Sequence, residues 1–80
     1  MRKNIYSREH DAFRSLLRQL RLGAGLQQRE LSERLGKPQS FVSRYESGQR
    51  RLDLLELRQI CQVIGVSLSE FVERFERSLP

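Results

Sequence analysis

The sequence is poor in reactive and rigid residues: among its 80 residues there are one cysteine, one histidine, no tryptophan and two prolines. The lone Cys61 excludes a disulfide within the chain, and such scarcity fits a reducing compartment. Cys61 and His10 lie too far apart in sequence to give a metal-ligand spacing. No combination of His, Ser, Cys and carboxylate residues suggests catalysis, so neither an enzymatic activity nor a cofactor is expected. No apolar run approaches the roughly 20 residues of a membrane span. The first residues, MRKNIYSREHDAF, carry basic groups with no apolar stretch behind them, unlike a secretory signal. A cytoplasmic location is expected. Residues 1–80 make one domain with a modest core, and with disulfide and metal closed off, self-association is the remaining route to added stability.

Charge is abundant, and it is unevenly placed within a net of +5. Residues 1–25 hold six basic side chains against two acidic, a net of +4, and residues 26–52 hold six against three, a net of +3. Residues 53–80 reverse the balance, with three against five, a net of −2. A basic front and an acidic back suit a polyanion that meets only the first two thirds of the chain, although charge alone fits a solvated surface equally well.

Hydrophobic spacing predicts an all-α domain of five short helices. Phe13, Leu16, Leu17 and Leu20 form the stripe of the first, expected to start near Ser7 with Glu9 and Asp11 in its opening turn, and to end at Gly23 and Gly25. Leu26, Leu31 and Leu35 frame a second, stopped by Gly36. Pro38 suits the first turn of a third, with Val42 and Tyr45 inward, Phe41 at the margin and Gly48 past its end. Leu54, Leu57, Ile60, Cys61 and Ile64 mark a fourth, closed by Gly65, with Cys61 packing in the core. Ser67 and Glu70 form a capping-box pattern for a fifth over 67–79, striped by Leu68, Phe71, Val72, Phe75 and Leu79.

Only Gly36 to Pro38 separate the second and third helices, the spacing of a helix-turn-helix at 26–47. At about 100° per residue, Val42 and Tyr45 fall on one side of the third helix, and Gln39, Ser40, Ser43, Arg44 and Ser47 on the other. Gln and Arg can each hold a base edge with two hydrogen bonds, and serines allow close approach. Solubility alone would favour Lys and Glu on such a face, since Ser is at best neutral in a helix. Arg50 and Arg51 follow the helix directly and suit phosphates, which position a protein without reading sequence. Gln28, at a helix N-terminus, suits a phosphate as well.

The segment from Leu20 to Leu68 resembles the lambda-repressor-like (Cro/repressor, or xenobiotic-response-element) helix-turn-helix family. The resemblance rests on an ordered set of individually weak pieces: Leu20-Arg21, a glutamine opening helix two, the EL-x-x-x-LG run from Glu30 to Gly36, VSRYE-x-G from Val42 to Gly48, and IGVSL. It implies a compact five-helix DNA-binding domain. It places Gln28 on a DNA phosphate, Gln39, Ser40, Ser43 and Arg44 at base-reading positions, and Ser47, Gln49, Arg50 and Arg51 in a loop that clamps the backbone. Arg44 also reaches phosphates. The resemblance further implies a structural ion pair between Arg21 and Glu46, joining helix one to helix three. The sequence departs from the family pattern at Gln27 (commonly Thr or Ser), Ser32 (often Ala), Phe41 (Ser or Thr) and Leu52 (often Pro). Phe41 either meets a thymine methyl or covers helix two.

These readings imply a DNA-binding transcription regulator, a repressor associated with the nucleoid, with double-stranded DNA as partner. Val72, Phe75 and Leu79 exceed what a terminal helix needs to seal a small core, and could pack on a twin helix in a homodimer on a pseudo-palindromic operator. Two other functions fit the same size and resemblance: the controller protein of a restriction–modification system, and an antitoxin whose spare apolar surface meets a toxin. Residues 1–6, with Arg2 and Lys3, are expected in a flexible arm, which could extend along the duplex with Arg8.

Overall fold

A computed structural model describes residues 5–79 of the chain, with side chains from residue 8 onward. The described residues form five helices and no strand: α1 Ile5–Gly23, α2 Gln28–Arg34, α3 Phe41–Ser47, α4 Leu54–Ile64 and α5 Leu68–Ser78. Each contributes to one core. Leu16 and Leu17 come from α1, Leu31 from α2, Phe41, Val42 and Tyr45 from α3, Leu57, Ile60 and Cys61 from α4, and Phe71 from α5. Leu26, between α1 and α2, is buried in this core as well.

The ends of the helices explain the short connections. The Gly36 N–H donates to the Glu33 carbonyl and the Lys37 N–H to the Ser32 carbonyl, each at 3.0 Å. This paired closure requires a left-handed residue, and Gly36 supplies it at φ 68°. Gly48 closes α3 in the same way at φ 88°, and a Cβ there would meet Arg14 Nη1 at 2.7 Å. The Arg14 cation thus lies across the C-terminal end of α3, where the helix dipole favours positive charge.

Several boundaries differ from those expected. α1 starts at Ile5, two residues before Ser7, because nothing in this stretch breaks a helix. Residues 5 and 6 therefore belong to α1 rather than to an arm, and Glu9 and Asp11 lie beyond its first turn. Arg2 and Lys3 lie outside the described residues. α3 starts at Phe41, not at Pro38: the Pro38 carbonyl accepts from the Phe41 N–H at 2.9 Å, which closes a separate turn that holds Gln39 and Ser40.

Leu54 is 63% exposed, because it opens α4 one turn before that helix meets the core at Leu57. Ser67 caps α5 by accepting from the Glu70 N–H at 3.0 Å, but the Glu70 carboxylate turns to Arg74 instead of completing the box. α4 carries a reciprocal box that the hydrophobic pattern had not shown. The Asp53 carboxylate accepts from the Glu56 N–H at 2.7 Å, and the Glu56 carboxylate accepts from the Asp53 N–H at 3.0 Å.

Candidate nucleic-acid interface

α3 has two chemically distinct sides, and the turn before it extends the polar one. Phe41, Val42 and Tyr45 are buried, whereas Gln39, Arg44, Ser47 and Gln49 are exposed and Ser40 and Ser43 half-buried. The inward residues fix the element. Val42 is fully buried, and its N–H, one of the unpaired donors at a helix start, donates to the Ser32 hydroxyl at 3.2 Å. Ser32, with no exposed surface, thus joins α2 to α3 where an alanine would leave a buried donor without a partner. Tyr45 lies in the same layer, and burial pushes its phenol well above the ordinary value. Its hydroxyl has no hydrogen-bond partner among the described residues.

The far end of α3 is tied to α1 through the pair expected from the resemblance. Arg21 Nε meets Glu46 Oε2 at 2.7 Å and Nη2 meets Oε1 at 3.1 Å, a two-bond fork with side chains only 7% and 5% exposed. Arg21 Nη1 also donates to the Leu26 carbonyl at 2.9 Å. Gln28 joins this cluster, its amide Nε2 donating to Glu46 Oε1 at 2.9 Å. That bond fixes the amide at the start of α2 and was not legible from spacing, since 18 residues separate the two.

The polar residues divide into occupied and unoccupied groups. Ser43 Oγ donates to the Ser40 carbonyl at 3.0 Å and Ser47 Oγ to the Arg44 carbonyl at 3.1 Å. Each hydroxyl spends its proton within the chain and keeps its lone pairs for an outside donor. Gln39, Arg44, Gln49 and Arg51 are exposed, and their side chains make no hydrogen bond or ion pair with the described residues. Two unpaired guanidinium groups thus flank the α3 terminus.

Arg50 differs from its neighbour. It forks onto Glu56, with Nη1 to Oε1 at 3.0 Å and Nη2 to Oε2 at 2.8 Å. Its guanidinium carbon lies 4.8 Å from the centre of the Phe41 ring. The hydrogen bonds from Arg50, then that from the Asp53 N–H, hold the Glu56 carboxyl down to about 2. The depressed value means that the stabilising contribution is complete above the ordinary carboxylate range and is lost as pH falls toward 2.

Phe41, expected at the margin, is 5% exposed and packs edge-on to Tyr45 at 5.5 Å between ring centres. Lys37 approaches its ring at 5.5 Å. The Tyr45 ring and the Lys37 and Arg50 cations lie against Phe41, contacts that the angle around α3 alone does not give. The expected apolar face of α5 is also reduced. Phe75 packs edge-on against Phe13 at 6.1 Å, Leu79 is half-buried, and of the three dimer candidates only Val72, at 46%, is exposed. Among the described residues no His, Cys, Asp and Glu group could hold a metal ion, and no helix is long and apolar enough to cross a membrane. Burial also raises the Cys61 thiol above its ordinary value, in keeping with its core position.

This geometry coincides with that of known proteins. The helix-turn-helix family model matches residues 17–71. An XRE-family like protein from Pseudomonas syringae pv. tomato str. DC3000 is 39% identical, with a TM-score of 0.86 over 95% of this chain and 93% of that one. The wild-type restriction-modification controller protein C.Esp1396I is 20% identical, with a TM-score of 0.80 over 95% of this chain and 96% of its own. The clp gene regulator ClgR from C. glutamicum is 24% identical, with a TM-score of 0.77 over 90% and 92%. The last two likenesses are of fold. No curated protein sequence matches the chain.

Proposed function

Because the chain belongs to the XRE-type helix-turn-helix family of DNA-binding transcriptional regulators, we propose that it acts as a sequence-specific repressor, working as a homodimer on a pseudo-palindromic operator. One observation carries this reading. The unpaired polar groups of Gln39, Arg44, Gln49 and Arg51 gather on and around a single short helix whose opposite side is sealed into the core. In this reading Gln39, Ser40, Ser43 and Arg44 face base edges in the major groove, with the two serine residues close to the bases and Ser43 acting as an acceptor. Gln28, Ser47, Gln49 and Arg51 meet phosphates, and Gln28 does so from the position that Glu46 gives its amide.

Selection from a random double-stranded DNA library tests the proposal. One enriched sequence with two-fold symmetry is the expected result, and no enrichment over input would end the reading. Affinity for the selected site should fall steeply as salt rises, because bound counterions return to the phosphates. Arg51→Ala should weaken the selected site and a random duplex alike, and should reduce the slope of log affinity against log salt by about 1. An unchanged slope would remove Arg51 from the phosphate contacts.

Val72, with Phe75 and Leu79 behind it, offers the second copy only a small apolar surface. Stable interfaces bury roughly 1,200–2,000 Å² in total, so the dimer is expected to form at high concentration or on DNA. Sedimentation at tens of micromolar, with and without the operator, measures this. A mass that stays monomeric in both conditions would refute the homodimer.

A further inference from the structure

We propose that Arg50 is a positioning residue: Glu56 and Phe41 hold it so that the loop after α3 presents Gln49 and Arg51 to DNA, while Arg50 itself takes no phosphate. The two arginines at the end of α3 are adjacent in sequence and opposite in their surroundings. Arg51 has no ion pair among the described residues. Arg50 has its charge cancelled by a fork of 2.8 and 3.0 Å onto Glu56. Its Nη1 also donates to the Arg51 carbonyl at 2.9 Å, so three of the five guanidinium N–H groups are occupied within the chain.

Glu56 is well placed as the fixed point. Its side chain is 15% exposed, and the same carboxylate caps α4 by accepting from the Asp53 N–H at 3.0 Å. Phe41 supplies the second support, a buried ring whose face lies 4.8 Å from the guanidinium carbon. On the other side, the Arg50 N–H donates to the Arg44 carbonyl at 3.2 Å. The loop is therefore tied to the end of α3 and to the start of α4 through one residue. A phosphate approaching this guanidinium would meet the Glu56 carboxylate beside it, and a neutral pair releases few counterions when DNA binds. The planar fork onto Glu56 needs Arg; Lys offers a point charge that cannot hold the carboxylate with two parallel hydrogen bonds.

The inference rests on the proposed DNA reading, and the experiment separates the two. Binding of wild type, Arg50→Gln, Arg50→Lys and Glu56→Gln is measured by fluorescence anisotropy on the selected operator and on a random duplex. A salt series is run for each, and circular dichroism confirms that each variant is folded at the assay temperature. Positioning predicts that Arg50→Lys loses affinity as Arg50→Gln does, about tenfold or ~1.4 kcal/mol, on the operator and on the random duplex alike, because Gln49 and Arg51 meet phosphates. It predicts one salt slope shared by Arg50→Lys and Arg50→Gln, a loss also for Glu56→Gln, and no further loss when Glu56→Gln is added to Arg50→Gln. A slope flattened by about 1 in Arg50→Gln, with Arg50→Lys near wild type, would make Arg50 a phosphate contact and overturn the inference. Tighter operator binding by Glu56→Gln would overturn it too, by making Glu56 a competitor for Arg50. Wild-type protein that binds no DNA would end both the inference and the reading beneath it.

Discussion

Glu46→Ala is expected to destabilise the domain by about 3–5 kcal/mol, because it strands the Arg21 guanidinium in a site that excludes water. Arg21 is 6% exposed as a residue, and its fork onto Glu46 is the main balance for its charge. The Leu26 carbonyl would still accept one N–H, but a carbonyl does not neutralise a cation. The same substitution takes away the acceptor that holds the Gln28 amide. Domains of ordinary size are stable by only about 5–15 kcal/mol, and for a chain this short each kcal/mol moves the melting temperature by roughly 4–8 °C. The variant should therefore melt at least ~12 °C below wild type. Arg21→Met combined with Glu46→Met should recover much of the loss, since no buried charge is then left alone. A single variant melting within about 2 °C of wild type would show that water reaches the pair in solution.

Gln39→Ala should act on recognition and leave the fold intact. Gln39 lies in the turn ahead of α3, exposed, and its amide makes no hydrogen bond with the described residues. An amide that meets adenine with both its donor and its acceptor discriminates against the wrong base by about 1–3 kcal/mol, or roughly 5- to 150-fold. The expected result is a fall of that size in the ratio of operator to random-DNA affinity, and an unchanged melting temperature. Random-DNA binding should persist, because Gln49 and Arg51 remain. Equal losses on the two DNAs would assign Gln39 to the backbone and leave the reading of bases to Ser43 and Arg44.

The sequence was most legible where one residue type admits one local geometry. Leucine spacing in α1, the glycines after the helices and the inward turn of Val42 and Tyr45 all follow from periodicity and backbone sterics. The family pattern located Arg21 and Glu46, which spacing could not join across 25 residues. What escaped depends on how neighbouring elements meet. Phe41 stands at the edge of its helix by angle, yet it is buried, with the Arg50 guanidinium over its ring and Tyr45 against its edge. Leu54 fits the stripe of α4, but the stripe starts one turn before the core does. The Asp53–Glu56 pattern was readable as a capping box; the use of Glu56 as the partner of Arg50 was not, because it depends on the path of the loop. Phe75 pointed to a second copy by composition alone, and the Phe13 ring accounts for part of its surface.

The two sides of α3 also bear on how such a protein can change over evolutionary time. Val42, Tyr45 and Glu46 hold the helix in place, while Gln39 and Arg44 contribute no contact to the core. On the proposed reading, substitutions at the second set escape selection for folding and are exposed only to selection for DNA recognition. A lineage can therefore move to a new operator by single steps through folded intermediates. By the same logic, two copies of one ancestral gene could come to ignore each other's sites while keeping superimposable backbones.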